Sequence, residues 1–153
     1  MMTKTRAVAL FAAGAALLSL SGCFALEAPD NDLVAIRRDG TELELALCRD
    51  LVVKRILVTE FANGQESSVI DWYDTSTMQA GDVVNTRNLG SESGVGFDFQ
   101  PSGWIRVLYS NESKTAPQSA IGYFDIPDGG VPTQAWLRPG GGETDTPCEQ
   151  PST

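Results

Sequence analysis

The sequence predicts an all-β protein, a small antiparallel β-sandwich of immunoglobulin-like kind that follows an N-terminal signal helix. Eight or nine short runs of alternating apolar and polar residues lie at close spacing after the N-terminus. Gly, Pro, Asn and Asp separate these runs, and no stretch beyond the N-terminus shows a persuasive helical period. A small closed β-barrel fits the same pattern and is the alternative.

The N-terminus has the layout of an export signal. Two cations, Lys4 and Arg6, precede an uncharged run from Ala7 to Leu20. This run is shorter than the roughly 20 apolar residues that a membrane-spanning helix needs. A charged region followed by a short apolar one is typical of a secretory signal peptide, so residues 1–22 are predicted to be removed and the rest exported.

The apolar run closes on Leu20-Ser21-Gly22-Cys23. These four residues resemble the lipobox of bacterial lipoprotein precursors, in which small residues precede the cysteine that receives a diacylglyceryl group. The resemblance covers residues 1–23 only. It implies that Cys23 is lipidated and that the mature chain is anchored to the cell membrane on its extracytoplasmic face. Phe24 is not the Asp that usually retains such proteins in an inner membrane.

The mature chain is predicted to begin with a linker, residues 23–32, and to continue as one β domain over residues 33–138. Its first hairpin pairs residues 33–38 with residues 41–48 through Asp39-Gly40, since Gly tolerates the positive φ of a type I′ turn. In the second arm every other residue is apolar and one face is therefore buried, at Leu43, Leu45 and Leu47.

The remaining runs are predicted to be strands, and the end of the chain a tail. The strand segments are residues 52–61, 68–73, 83–84, 95–99, 104–109, 120–126 and 133–137. From Pro139 onward, glycines and the residues Thr, Pro, Glu and Ser indicate a flexible tail, residues 139–153.

Charge restricts the partners. The chain has 11 basic and 20 acidic residues. Lys4 and Arg6 leave with the signal, so nine basic residues remain and the mature formal charge is −11. Such a charge argues against nucleic acid, whose phosphates require basic stripes, and against electrostatic adhesion to anionic lipid. Membrane attachment is therefore expected to depend on the lipid anchor.

Cysteine counting predicts a disulfide. With Cys23 acylated, Cys48 and Cys148 remain in an oxidising compartment. Their bridge would close a loop of about 100 residues, worth up to roughly 4–5 kcal/mol from loop-closure entropy. Alternation puts Cys48 on the face opposite Leu43, so the bridge would hold the tail against that face. Two separate thiols are the alternative, although Cys148 would then be exposed and reactive.

Few residues suggest catalysis. The chain has no histidine, which removes most nucleophilic triads and imidazole metal sites, and it has no phosphate-binding glycine loop. No cofactor and no metal site are predicted. Asp71 and Asp74 flank Trp72-Tyr73, and paired carboxylates beside aromatic rings can hydrolyse glycosides. Outward-facing acids in an acidic chain explain this pair equally well.

Aromatic residues are the candidates for ligand contact. Rings on strands usually pack in the core or at its edge, although they could form a stacking platform. Trp72 and Trp136 are the candidates for contact with a ligand, and Trp136 is expected to be the more exposed of the two. The sequence thus predicts a membrane-anchored, non-catalytic binding or structural accessory module of the cell envelope, with a protein or glycan partner. The alternative is a small envelope hydrolase using Asp71 and Asp74.

The anchoring hypothesis gives a direct test at Cys23. We expect Cys23→Ala to leave an unlipidated precursor, because the thiol that accepts the diacylglyceryl group is gone. Metabolic labelling with a fatty-acid analogue measures this, with Cys48→Ala as the control that should still be labelled. Label retained in Cys23→Ala would refute the anchor.

Overall fold

The computed structural model describes residues 33–90, 96–111 and 118–149, and the proposed signal helix, Cys23 and linker lie outside these ranges. The described chain contains nine strands. A short 3₁₀ helix, Thr86–Asn88, follows the fifth strand. The strands are β1 (Val34–Asp39), β2 (Glu42–Leu47), β3 (Leu51–Ala62), β4 (Gln65–Met78), β5 (Val83–Asn85), β6 (Trp104–Ser110), β7 (Ser119–Asp125), β8 (Trp136–Leu137) and β9 (Glu143–Thr144).

These strands form two antiparallel sheets. Sheet A has the order β5-β2-β1-β8-β9, and sheet B has the order β4-β3-β6-β7. The sheets pack face to face and share one apolar core, which confirms the predicted all-β sandwich rather than a single closed barrel. Within the described ranges, no helix is long and apolar enough to cross a membrane.

The two tight hairpins use different turns. At Asn63-Gly64, between β3 and β4, both residues have positive φ, 55° and 73°, as a type I′ turn requires. At Gly40-Thr41, between β1 and β2, only Gly40 has a positive φ, 65°. The predicted hairpin at Asp39-Gly40 is therefore confirmed, but its turn follows the type II′ pattern and not type I′.

The core lies between the two sheets and is built mostly by alternation, which irregularities in the pairing of β3 and β4 interrupt between Val53 and Arg55 and between Val58 and Thr59. Each fully buried Val, Leu or Ile side chain contributes roughly 1.5–3 kcal/mol relative to exposure. Sheet A supplies Val34, Ile36, Leu43, Leu45, Leu47 and Leu137, and sheet B supplies Val53, Ile56, Val58, Ile70, Ile105, Val107, Tyr109 and Phe124. The predicted buried face of Leu43, Leu45 and Leu47 is thus confirmed.

The segment 95–99, predicted as a strand, is irregular from Gly96 onward. Phe97 and Phe99 are both buried, as their alternation suggested. Phe99, however, has φ of 51°, in the left-handed region, which interrupts an extended strand. The alternating pattern indicated burial correctly and secondary structure wrongly.

The C-terminal segment also differs from the prediction. A flexible tail was predicted from residue 139, but Glu143–Thr144 form β9, which pairs with β8 through Trp136↔Thr144 and Leu137↔Glu143. The Arg138 N–H donates to the Gly142 carbonyl oxygen at 2.7 Å and closes the intervening turn. The described part of this segment therefore extends sheet A, although its residues are mostly polar. The strand predicted at 133–137 is reduced to Trp136–Leu137.

Gly122 on β7 offers a test of the packing between sheets. A Cβ atom there would lie 2.7 Å from the Phe124 ring and 3.1 Å from the Val34 Cβ. We expect Gly122→Ala to lower the free energy of unfolding by about 1–3 kcal/mol, because the core must shift to admit the methyl group. Urea denaturation measures it. Gly129→Ala is the matched control, since no atom lies within 4 Å of its added Cβ; equal stability of the two variants would contradict the packing.

Candidate functional site

The two carboxylates of the hydrolase alternative have different surroundings. Both oxygens of Asp71 accept hydrogen bonds from Arg55, from Nε at 2.8 Å and from Nη2 at 2.9 Å. The exposed Asp74 accepts from the Thr75 backbone N–H at 2.7 Å. A bidentate ion pair with arginine favours the charged carboxylate and fixes its orientation. In the ranges that the structure covers, no group of three or more His, Cys, Asp or Glu could hold a metal ion.

The two tryptophans predicted to contact a ligand, Trp72 and Trp136, both pack against other residues of the protein. Trp136 is only 3% exposed and forms a small cluster with Ala35 and Ala46. The Arg37 guanidinium lies 4.5 Å from the centroid of its ring. The prediction that Trp136 faces solvent is therefore wrong, because the small alanines leave a space that its ring fills. Trp72 is partly buried and packs against the main core.

Tyr109 is a titratable group deep in the core. Its side chain is fully buried, and its hydroxyl has no hydrogen-bond partner among the described residues. Burial raises the pKa of the Tyr109 phenol far above its ordinary value, because the phenolate would lose its hydration. Tyr109 therefore stays neutral at physiological pH and contributes packing, at the cost of one unpaired hydroxyl.

The two remaining cysteines are joined across the outer side of sheet A. Cys48 and Cys148 lie at disulfide distance, as the sequence predicts, with Cα atoms 5.2 Å apart. Ala46 belongs to the outer cluster with Trp136 and not to the main core, so Cys48, two residues later, lies on the predicted outer side. The bridge holds the segment after β9 to the end of β2. Arg138, which sequence reasoning did not single out, is 3% exposed beside it.

The outer face of sheet B is a surface that no described segment of the chain packs across. Cross-strand register sets Leu57, Leu108 and Ile121 side by side on β3, β6 and β7. All three are half-buried. Tyr73 and Tyr123 flank this row and are 57% and 47% exposed. Large apolar and tyrosine side chains thus line one side of the sandwich, and we call this surface the B face.

Charges and rings on the B face are largely engaged with one another. Arg55 pairs with Asp71 and lies 4.9 Å from the centroid of the Tyr73 ring. Arg106 donates to Glu66 at 3.0 Å. The rings of Phe61 and Trp104 stack with centroids 5.5 Å apart and planes 2° apart. The middle of the B face is therefore balanced in charge, although the whole chain has a formal charge of −9.

A buried carboxylate on β3 positions the loop that precedes β6. Glu60 is 4% exposed, and its two oxygens accept from the backbone N–H groups of Asp98 at 3.1 Å and Phe99 at 2.8 Å. These bonds hold Phe99 in its left-handed conformation, and the Arg38 guanidinium lies 4.6 Å from its ring centroid. Sequence reasoning missed Glu60 because an acid within an apolar strand normally points to solvent.

An open cleft lies beside the ends of β8 and β9. Its volume is about 560 Å³, and two carboxylates contribute to a mostly polar lining of Pro132, Thr133, Gln134, Ala135, Glu143 and Asp145. Neither Asp71 nor Asp74 contributes to it. The cleft is shallow and lacks the apolar walls and converging polar groups that typify a small-molecule site.

Comparisons with known proteins give no relative. No protein-family model matches the chain, and no match is found among curated proteins or solved structures. Functional inference therefore depends on the surfaces and contacts described above.

Removal of the Glu60 carboxylate tests its role in the loop. We expect Glu60→Ala to lower the free energy of unfolding by about 1–3 kcal/mol for each buried N–H left without an acceptor. Glu60→Gln keeps one oxygen acceptor, so its free energy of unfolding should fall by less. Glu66→Ala is the control, because it removes an exposed carboxylate and one surface ion pair, worth about 0–1 kcal/mol. Urea denaturation measures both variants. Equal stability of Glu60→Ala and Glu66→Ala would contradict the role of Glu60 in holding the loop.

Proposed function

We propose that this chain is a lipid-anchored extracytoplasmic lipoprotein whose β-sandwich is a non-catalytic binding or structural accessory module of the cell envelope. The anchoring part of the proposal depends on the resemblance of Leu20-Ser21-Gly22-Cys23 to a lipobox. The binding part depends on one observation, the B face. Tyrosine, tryptophan and arginine are the residue types enriched at protein interfaces, and all three are present there.

The chemistry of the B face favours a protein partner over a glycan. Sugar rings stack on the open faces of aromatic side chains. Here the Trp104 ring stacks on Phe61, and the Tyr73 ring is covered on one side by Arg55. The row of Leu57, Leu108 and Ile121 instead offers aliphatic surface, which apolar side chains of another protein would cover.

The size of the B face indicates a weak or transient contact. The part of the face that β6 and β7 reach is seven residues long. Four strands about 4.8 Å apart, at about 3.4 Å per residue, give this part a projected area of roughly 450 Å². A standard interface buries about 800 Å² on each partner. A face this small requires a few well-placed anchors, and Tyr73 and Tyr123 are the most exposed large side chains on it.

The surroundings of the two carboxylates of the hydrolase alternative give that alternative no specific support. Asp71 is held by Arg55 through both oxygens, and Asp74 is engaged by a neighbouring backbone N–H. We therefore do not carry that alternative forward.

The binding proposal is tested by the double substitution Tyr73→Ser and Tyr123→Ser in the lipidated protein. We expect recovery of a cross-linked envelope protein to fall about tenfold, which corresponds to a loss of about 1.4 kcal/mol. Quantitative cross-linking in intact envelopes measures it. Val83→Ser on β5 is the matched control, because Val83 is 45% exposed and lies on sheet A.

The controls decide between the outcomes. Unchanged cross-linking in the double variant, or an equal loss in Val83→Ser, would contradict binding through the B face. A second measurement is binding to isolated envelope polysaccharide. If the unmodified protein binds it and the double variant does not, the partner is a glycan and not a protein.

A further inference from the structure

The Cys48–Cys148 disulfide has two chemically different ends. Cys148 is exposed, whereas Cys48 is half-buried at the end of β2. A thiolate that reduces a disulfide must approach one sulfur directly, and that sulfur must be accessible. Cys148 is the more exposed residue of the pair, and the approach of a thiol from solvent is more open on its side.

A buried cation lies at the other end of the bond. Arg138 is 3% exposed, and its Nη1 atom lies 3.3 Å from the Cys48 sulfur. The same nitrogen donates to the Pro147 carbonyl oxygen, which holds the guanidinium in place against the bridge. A guanidinium at this distance stabilises negative charge that develops on sulfur, and more strongly where water is excluded.

We propose that Cys148 is the sulfur that thiols attack and that Cys48 is the leaving sulfur, stabilised as a thiolate by Arg138. The incoming thiolate forms a new S–S bond with the Cys148 sulfur. The Cys48–Cys148 bond breaks, and its electron pair passes to the Cys48 sulfur. The product is a mixed disulfide at Cys148 with a thiolate at Cys48 beside the guanidinium.

The same asymmetry sets the order of events when the bridge forms. The Cys148 thiolate would first attack the disulfide of a dithiol–disulfide oxidoreductase in the compartment to which the chain is exported. A mixed S–S bond forms at Cys148, the oxidoreductase's own S–S bond breaks, and one of its two sulfurs becomes a thiolate. The Cys48 thiolate then attacks the Cys148 sulfur, forms the internal disulfide and releases the second thiolate of the oxidoreductase. Two electrons pass to the oxidoreductase, and Cys148 is its site of covalent contact.

Trapping of the mixed disulfide tests the proposal on the unmodified protein. The oxidised mature domain is treated briefly with excess glutathione, acid-quenched, alkylated and mapped by peptide mass spectrometry. We expect glutathione on Cys148 and the alkyl group on Cys48 in clear excess over the reverse pattern. An equal or reversed distribution at the earliest time points would overturn the proposal.

Substitution of Arg138 tests the source of the asymmetry. We expect Arg138→Met to slow the first step of reduction by dithiothreitol about three- to tenfold, since a poorer leaving thiolate slows exchange. Arg138→Lys keeps a cation, so its rate of reduction should lie between those of Arg138→Met and the unmodified protein. Far-ultraviolet circular dichroism establishes that both variants fold. If either does not, the glutathione distribution in the unmodified protein decides alone.

Discussion

Burial of the two apolar sheet faces against each other is the interaction on which the rest of this structure depends. Leu43, Leu45 and Leu47 on β2 are fully buried against a sheet that contributes Val107 and Phe124 among others. Side chains alternate along a strand, so every inward residue fixes an outward neighbour. The inward faces of β2 and β6–β7 therefore determine which residues are left for the two outer faces.

The two outer faces are used differently. On sheet A, the small side chains of Ala35 and Ala46 leave room for Trp136, and all three are buried. The disulfide then holds the C-terminal segment on this side, and loop-closure entropy for its separation of 100 residues is worth about 4.7 kcal/mol. On sheet B no segment of the described chain fulfils this role, and the tyrosine-flanked B face remains open to a partner.

The sequence predicted those features that depend on local alternation and turn chemistry. The β-sandwich, the hairpin at Gly40 and the buried row of Leu43, Leu45 and Leu47 all follow from patterns within ten residues. The failures come from tertiary contacts. Phe99 has a left-handed backbone because Glu60, 39 residues earlier in the chain, accepts a hydrogen bond from its N–H. The residues near Phe99 contain no pattern that predicts this bond.

The candidate site was predictable only in part, for the same reason. Cys48 and Cys148 could be paired because the resemblance of residues 20–23 to a lipobox assigns Cys23 to a lipid, and the two cysteines that remain leave one combination. Trp136 could not be assigned correctly, since its burial depends on space beside Ala35 and Ala46 on other strands. The B face was missed because it requires the register of β3, β6 and β7, which sequence does not contain. Arg138 was missed because an arginine near a glycine-rich turn normally suggests solvent.

The position of the disulfide has a consequence for a tethered domain. The Cys48 N–H donates to the Leu33 carbonyl oxygen at 2.7 Å, so the start of β1 lies beside the bridge. In a chain lipidated at Cys23, the ten residues 23–32 reach at most about 35 Å from the membrane. Such a tether confines the domain near other membrane-bound proteins and raises their effective concentration. The weak contact proposed for the B face would benefit from this rise in effective concentration.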